Sequence, residues 1–576
     1  MRRQTPRRRW QLRPAAIGAA ALLVGACGGP SNPPAELVLR GGRILTRSPD
    51  DVVEALAVLA GRVAAVGSTA EIESWIGTDT RIVELHGRTA LPGLGDNHYH
   101  GIGGGPGVDL SRTRSLGEVV EAISEFADAL SPGELVVTNW DWHEGQLAEQ
   151  RLPYRDDLDR AAPDHPVVVV RGGHQYVLNS AALARWEIDE TTAAVAGGRI
   201  GRYEDGRLNG ELVDRAKGLV TLPPPAPDPG AMLGILEREL ATLHTRGLTS
   251  IRYPGGSLPQ YRALARLRDE GRLTMRVNFL LRAPGAGTAG TLDETLADWP
   301  AMGDGDEWLR IGGVKLGVDG GFEGGLMRAP YEEPWGEGGT FYGLQTVPRD
   351  VFFETVTELH RRGWRVATHA VGDAALDLVL EAYEAADAEA PLADERWVIE
   401  HGFIARPDHF ARMADLGVVV TLQDHLYVAA PSLIRYWGSE RARLTTPARA
   451  YLDAGIPVSI GTDSPVVPWD PWWALHHFTT RGTISAGVVG DEQEITRAEA
   501  IRAATEGYAY LTFEESLKGT LEVGKLADLV VVAEDPLACA DPCLETMQVD
   551  LTVVGGMVVY DRGAVSGGDD PPGEGS

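Results

Sequence analysis

Between Gly230 and Pro465 the sequence repeats one unit: an amphipathic helical stretch, a glycine, and a short apolar run. Met232, Leu233, Ile235, Leu236, Leu240 and Leu243 share a broad face of a helix predicted over Ala231–Arg246. Gly247 supplies the left-handed residue that ends such a helix, and Leu248–Ile251 reads as the strand that follows. The unit recurs with Tyr261–Asp269, Gly271 and Met275–Leu281, and again with Val351–Arg362, Gly363 and Trp364–Thr368. Two more copies are Phe410–Leu416, Gly417, Val418–Val420 and Ala448–Ala454, Gly455, Pro457–Ile460. Strands that alternate with helices pair in parallel. With Leu91–Asn97, Ile311–Leu316 and Arg396–Ile399 the strands number eight, enough to close a (β/α)8 TIM barrel over residues 91–516.

Roughly 140 residues separate the first barrel strand from the second, far more than a loop needs. The stretch from about 105 to 230 therefore reads as an insertion over the barrel mouth, with its own strand at Val167–Val170. Outside the barrel, 36–90 and 517–563 are rich in alternating apolar runs such as Leu37–Leu39 and Arg62–Val66. Neither piece is large enough to fold alone, so the two ends are expected to build one small composite β-sandwich, followed by a disordered tail over 564–576.

The N-terminus follows another logic. Six arginines and no acid precede an apolar run, Ala15–Val24, that is too short to span a bilayer but suits a signal peptide. Val24-Gly25-Ala26-Cys27 resembles a bacterial lipobox, which makes 1–26 a signal peptide, Cys27 the lipidated residue and 27–35 a tether. An ordinary signal peptide with a coincidental cysteine is the alternative. Arg8-Arg9-Trp10-Gln11-Leu12 loosely resembles a twin-arginine signal, and export by that route or by Sec stays open. The expected location is a membrane-anchored lipoprotein facing the periplasm or cell exterior. A net charge of −29 excludes nucleic acid as a partner of the protein body and leaves the lipid as the only membrane contact. Cys539 and Cys543 could pair in an oxidising compartment or stay free; neither lies near the histidines in sequence.

The chemistry-bearing residues fall at the ends of predicted strands. His98 and His100 close strand one, and a spacing of two on extended chain turns both imidazoles to the same side. Lys315 lies near the end of strand four, His369 and His401 end strands five and six, and Asp463 follows strand eight. In a barrel these ends converge on one mouth. Four histidines and a carboxylate are donors that suit Zn²⁺, with Fe, Mn or Ni as substitutes. Taken singly each has a plainer reading: a hydrogen-bonded histidine, or an interior Lys315 paired with Asp319. His244, His360 and His409 lie in helical stretches and read as surface residues, and His86 belongs to the sandwich.

Leu91-Pro92-Gly93-Leu94-Gly95-Asp96-Asn97-His98-Tyr99-His100 resembles the opening motif of the amidohydrolase superfamily, and Gly519–Val530 resembles its return to the sandwich. Gly313–Leu316, Asp319-Gly320, Thr368–Asp373, Ile399–His401, Gly461–Pro465 and Asn179–Leu183 are similar to the amidohydrolase-3 branch that holds the N-substituted formamide deformylases. The chain departs from that pattern at Leu94-Gly95, where phenylalanine and isoleucine are usual, and in the glycine-rich Gly320–Gly325.

The resemblance implies divalent metal, Zn²⁺ for preference and one or two ions per chain. His98 and His100 would hold one with Asp463, His369 and His401 the other, and a carboxylated Lys315 would bridge them. A metal-bound hydroxide would attack a carbonyl carbon while Asp463 takes its proton and returns it to the leaving nitrogen. His174, after Gly172-Gly173, is the candidate substrate contact, and Trp140, Trp142 and Tyr176 could line an apolar pocket or form the core of the insertion. The implied activity is hydrolysis of a non-peptide C–N bond in a small linear or N-substituted amide. Two alternatives stand beside it: the same site acting on an ester, lactone or cyclic amide, and a non-catalytic surface-anchored binding protein.

Overall fold

The structure is a computed structural model and describes residues 32–47, 51–104, 107–222, 229–283, 289–332, 339–467 and 469–565. The signal peptide, Cys27 and most of the C-terminal tail lie outside the described residues. Among those described, no helix is long and apolar enough to cross a membrane.

Eight parallel strands form the barrel: β1 (Leu94–Asp96), β2 (Leu248–Gly256), β3 (Arg276–Arg282), β4 (Leu309–Gly317), β5 (Val366–Ala370), β6 (Val398–His401), β7 (Val419–Gln423) and β8 (Val458–Gly461). The ladder runs unbroken from β1 to β8. The seam between β8 and β1 is closed by side chains: Thr462 donates to Asp96 through its amide (3.0 Å) and hydroxyl (2.6 Å), and Asn97 Nδ2 donates to the Ser459 carbonyl (2.6 Å). The helix–glycine–strand reading holds in detail. Gly247, Gly271, Gly363, Gly417 and Gly455 all take positive φ after the helices they end, a conformation in which a Cβ would be strained.

The run Leu91–Asn97 is not one strand. Thr89–Pro92 pairs antiparallel with Leu529–Val532 in the sheet built by the chain ends, and the chain enters the barrel only at Leu94. Gly93 makes the passage, where a Cβ would come within 2.2 Å of Thr249. Gly95 is explained as well: Tyr508 fills the space its side chain would need, 2.3 Å from a Cβ built there.

Strands from both chain ends share one eight-stranded sheet. Its period of two is visible in packing: Leu37 and Leu39 join a core with Val58, Leu529 and Leu551, while Val38 faces Ala55, Ala57 and Ile72 on the other side. A buried two-toothed ion pair, Arg276 Nε–Asp528 Oδ2 (2.5 Å) and Nη2–Oδ1 (2.9 Å), ties this sheet to β3.

The insertion has its own five-stranded sheet and hydrophobic core. Asn179 caps the helix Ser180–Arg185 by accepting from the Ala182 amide, and its amide group donates to the Ala162 and His165 carbonyls. Trp142 belongs to that core, with Nε1 on the Val170 carbonyl (2.8 Å). Cys539 and Cys543 form a disulfide.

Three helical histidines are not the surface residues their positions suggested. His244 is buried between the Leu248 carbonyl and Thr274, and His409 is buried against Asp377. His360 is half-buried against Trp397 and the Ala390 carbonyl. Each lies on a helix face that another element covers, and that element's polar groups satisfy the ring.

Candidate metal centre

Asp96 ends β1, and its carboxylate accepts from the His98 amide (3.1 Å) as well as from Thr462. That anchors the bend carrying His98 and His100. The alternation expected of extended chain survives it: Tyr99 turns outward to Glu239, while His98 Nε2 and His100 Nε2 stand 3.6 and 3.3 Å from Asp463 Oδ1. His401 and Asp463 both adopt left-handed backbone, with φ of 71° and 55°. Such strain in non-glycine residues concentrates where function needs an otherwise unreachable geometry.

His98, His401 and Asp463 place one ligand atom each within 4.8 Å of the others, all buried. The outer nitrogens of the two rings are occupied: His98 Nδ1 by Glu400 Oε2 (2.9 Å) and His401 Nδ1 by Gln423 Oε1 (2.7 Å). Their Nε2 atoms are thereby left for the centre, the arrangement by which metal-ligating imidazoles are oriented. Asp463 Oδ1 is buried without a hydrogen bond, and an unsatisfied carboxylate oxygen amid imidazole nitrogens is what a cation site requires. The residues fit a divalent metal.

Lys315 belongs to the same cluster, its Nζ 3.1 Å from His98 Nε2. The Lys315–Asp319 pair does not form. Asp319 instead accepts from the backbone amides of Leu326, Val371 and Gly372, and burial raises its carboxyl to about 7. His369 stands at the edge: its ring lies 4.7 Å from that of His401, but Nε2 faces the Gly320 carbonyl (3.1 Å). The structure therefore gathers His98, His100, Lys315, His401 and Asp463 tightly, and sets His369 beside them. His174, from the insertion, stacks on His369 at 5.4 Å and is held by Asp214 (2.6 Å).

Electrostatics agree with ligation. Burial lowers His98 to about 3 and takes His369 and His401 well below the usual histidine value, so the rings are neutral and their lone pairs available. Burial also lowers Lys315 to about 8, against the attraction of Glu400 and Asp463. For Asp463 burial opposes ionisation, but the nearby His98 and His100 rings and the hydrogen bond from His425 outweigh it and hold the carboxyl well down.

His425 was missed by the sequence reading. It is fully buried, its Nε2 lies 2.9 Å from Asp463 Oδ2, and its Nδ1 has no partner. Its position two residues past the end of β7 is the signal that could have found it. Removing it by His425→Ala is expected to cost on the order of 10-fold in activity or metal affinity, because Asp463 then loses the donor that orients it. Initial rates together with metal titration would show this.

The glycine-rich Gly320–Gly325 also has a reason. A Cβ at Gly320 or Gly324 would come within 2.4 Å of Asp214, and one at Gly321 within 2.8 Å of the His174 ring. Side chains there would prevent the insertion from seating on the barrel mouth. Below it, Arg171 is buried between Glu144 (2.9 Å) and Glu323. The resulting cavity of about 600 Å³ is lined by His98, His100, Trp140, His174, Asp463 and Tyr253, among others.

Residues 81–560 match the sequence profile of the amidohydrolase family. The chain is 27% identical over 535 residues to the N-substituted formamide deformylase of Arthrobacter pascens, covering 88% of this chain and 95% of that protein. Among solved structures, an uncharacterized metal-dependent hydrolase from Pyrococcus furiosus is 26% identical, with a TM-score of 0.62 over 87% of this chain and 100% of the other. One from Pyrococcus horikoshii shares the fold at 23% identity, with a TM-score of 0.64 over 87% of this chain and 98% of that one. With its barrel, its buried imidazole and carboxylate donors and a match across most of its length, the chain belongs to the amidohydrolase family, whose members are metal-dependent hydrolases.

Proposed function

We propose that the protein hydrolyses a non-peptide C–N bond in small linear or N-substituted amides, with divalent metal held by His98, His100, His401 and Asp463 and a second ion taken by Lys315 and His369. The observation that carries this reading is Asp463: a buried, ionised carboxylate at the cavity floor, with one oxygen fixed by His425 and the other unsatisfied. Zinc suits this donor set. When bound, a metal supplies a polarised carbonyl and a water acidic enough to attack at neutral pH.

The chain's own part is proton handling and orientation. Asp463 takes the proton of the attacking water at Oδ1 and returns it to the leaving nitrogen, which cannot depart as an anion. Glu400 and Gln423 keep the His98 and His401 rings in one tautomer. Lys315, with its amine lowered to about 8, has a neutral fraction that can add CO₂ to form a carbamate and release a proton. The insertion brings His174 to the mouth, stacked on His369.

The test is a panel of N-substituted formamides and acetamides with the purified holoenzyme, before and after treatment with a chelator. Turnover is expected to fall at least about 20-fold on chelation and to return with added Zn²⁺. Absence of stoichiometric metal after growth in supplemented medium would overturn the proposal.

A further inference from the structure

The cavity above the metal centre carries cationic groups that the proposed chemistry does not use. Lys217 enters from the insertion, in the turn Arg215–Leu219, with Nζ donating to the Gly173 carbonyl and lying 5.1 Å over the Tyr176 ring. Arg282 enters from the barrel as the last residue of β3, paired in register with Lys315 on β4. Its Nε donates to the Gly255 carbonyl (3.2 Å). Gly255 leaves the space for this: a Cβ there would lie 3.4 Å from Arg282 Nε and Nη2 and from Lys315 Cγ. Lys217, Arg282 and Arg215 thus line the same cavity as His100 and Asp463.

The carboxylates lining that cavity have other duties. Asp463 is engaged by His98, His100 and His425, and Asp319 by three backbone amides. Asp214 is held by His174 and adds some attraction for Lys217. Among the described residues Arg282 bonds to the Gly255 carbonyl and is influenced by no neighbouring carboxylate. Arg282 is solvent-exposed on the cavity wall, so its guanidinium is open to an incoming anion with no carboxylate to displace. Like charges brought together at a partly desolvated wall repel one another unless an anion joins them. Guanidinium is the group whose planar fork matches a carboxylate with two hydrogen bonds.

Resting on the amide-hydrolase reading, we infer that Arg282 and Lys217 form an anion subsite, so that the substrate is an amide bearing a carboxylate, such as an N-acyl amino acid. The carboxylate lies against the β3 end and the Arg215–Leu219 turn, and the scissile carbonyl reaches down to Asp463. His174 borders the path between the two.

The experiment compares N-acetylphenylalanine with N-acetylphenethylamine, which lacks only the carboxylate, on the metal-loaded enzyme. The ratio of kcat/KM is expected to favour the carboxylate compound on the order of 100-fold, and Arg282→Gln or Lys217→Gln to lower that ratio by about 10-fold or more. Arg282→Lys, which keeps the charge but not the fork, is expected to fall between. Metal content and melting temperature identify any variant that has misfolded, and for it the Lys replacement supplies the comparison. Calorimetric binding of both compounds separates this inference from the one beneath it. If neither is turned over but the carboxylate compound binds at least 10-fold tighter, and Arg282→Gln abolishes the difference, the hydrolase reading falls and the subsite stands. Equal rates and equal binding, or a preference the substitutions leave intact, overturns the subsite.

Discussion

Asp463→Asn is expected to fold, to keep its place in the barrel, and to lose on the order of 10³-fold in kcat, about 4 kcal/mol of transition-state stabilisation. The substitution is nearly isosteric, and asparagine tolerates the left-handed backbone that Asp463 adopts at φ 55°. What changes is chemistry. An amide cannot accept the proton that the attacking water must lose, and its NH₂ group cannot serve both His425 and the cation site as the two carboxylate oxygens do. Because the carboxyl sits well below its usual range, loss of a base that titrates near neutrality is not the expected pattern; activity should be low across the whole pH range in which the protein folds. Steady-state kinetics on an amide substrate, with metal content measured on the same sample, checks this. A variant within 10-fold of the parent with full metal would remove Asp463 from the proton path. A variant that has lost its metal would mark the residue as a ligand first.

What the sequence disclosed and what it hid divide along physical lines. The barrel was legible because its cause is local and repeated: a helix with one apolar face, a glycine that must take positive φ, a short apolar strand. His98, His369 and His401 were legible because barrel topology turns a position at a strand end into a position in space. His425 obeys the same rule but is displaced by two residues into the start of the helix His425–Trp437, where no repeat marks it. The division at Gly93 was invisible because Leu91–Asn97 is one apolar run, and what splits it is pairing with Leu529–Val532, far away in the sequence. His244 and His409 look like surface histidines until the carbonyl, hydroxyl or carboxylate that satisfies each ring is located on a neighbouring segment. The outer partners of the ligands, Glu400 and Gln423, were within reach in principle: each sits on a barrel strand, next to or across from a candidate ligand. Their roles depend on the direction of a side chain, which spacing alone does not give.

Glu400 carries the largest expected effect on stability. It is fully buried on β6, accepting from His98 Nδ1 (2.9 Å) and Thr421 Oγ1 (2.6 Å) on one oxygen and from Arg252 Nη1 (2.7 Å) on the other. Arg252 is equally buried, and its Nε and Nη2 have no partner, so Glu400 is its counter-charge. Glu400→Ala leaves an uncompensated guanidinium in the barrel, and the expected cost is about 3–5 kcal/mol. Replacing both members of the pair, Glu400→Leu with Arg252→Met, removes the charge with its partner and is expected to recover most of that stability. Metal binding should not recover. In either variant His98 has lost the acceptor that fixes its Nδ1 proton and leaves Nε2 for the centre, and metal affinity is expected to remain 10- to 100-fold below the parent. Thermal unfolding of the metal-free proteins reads the first effect, and competition against a chelator of known affinity reads the second. Stability and metal affinity restored together by the double replacement would mean that Glu400 acts only as a counter-charge; stability restored alone assigns it the orientation of His98.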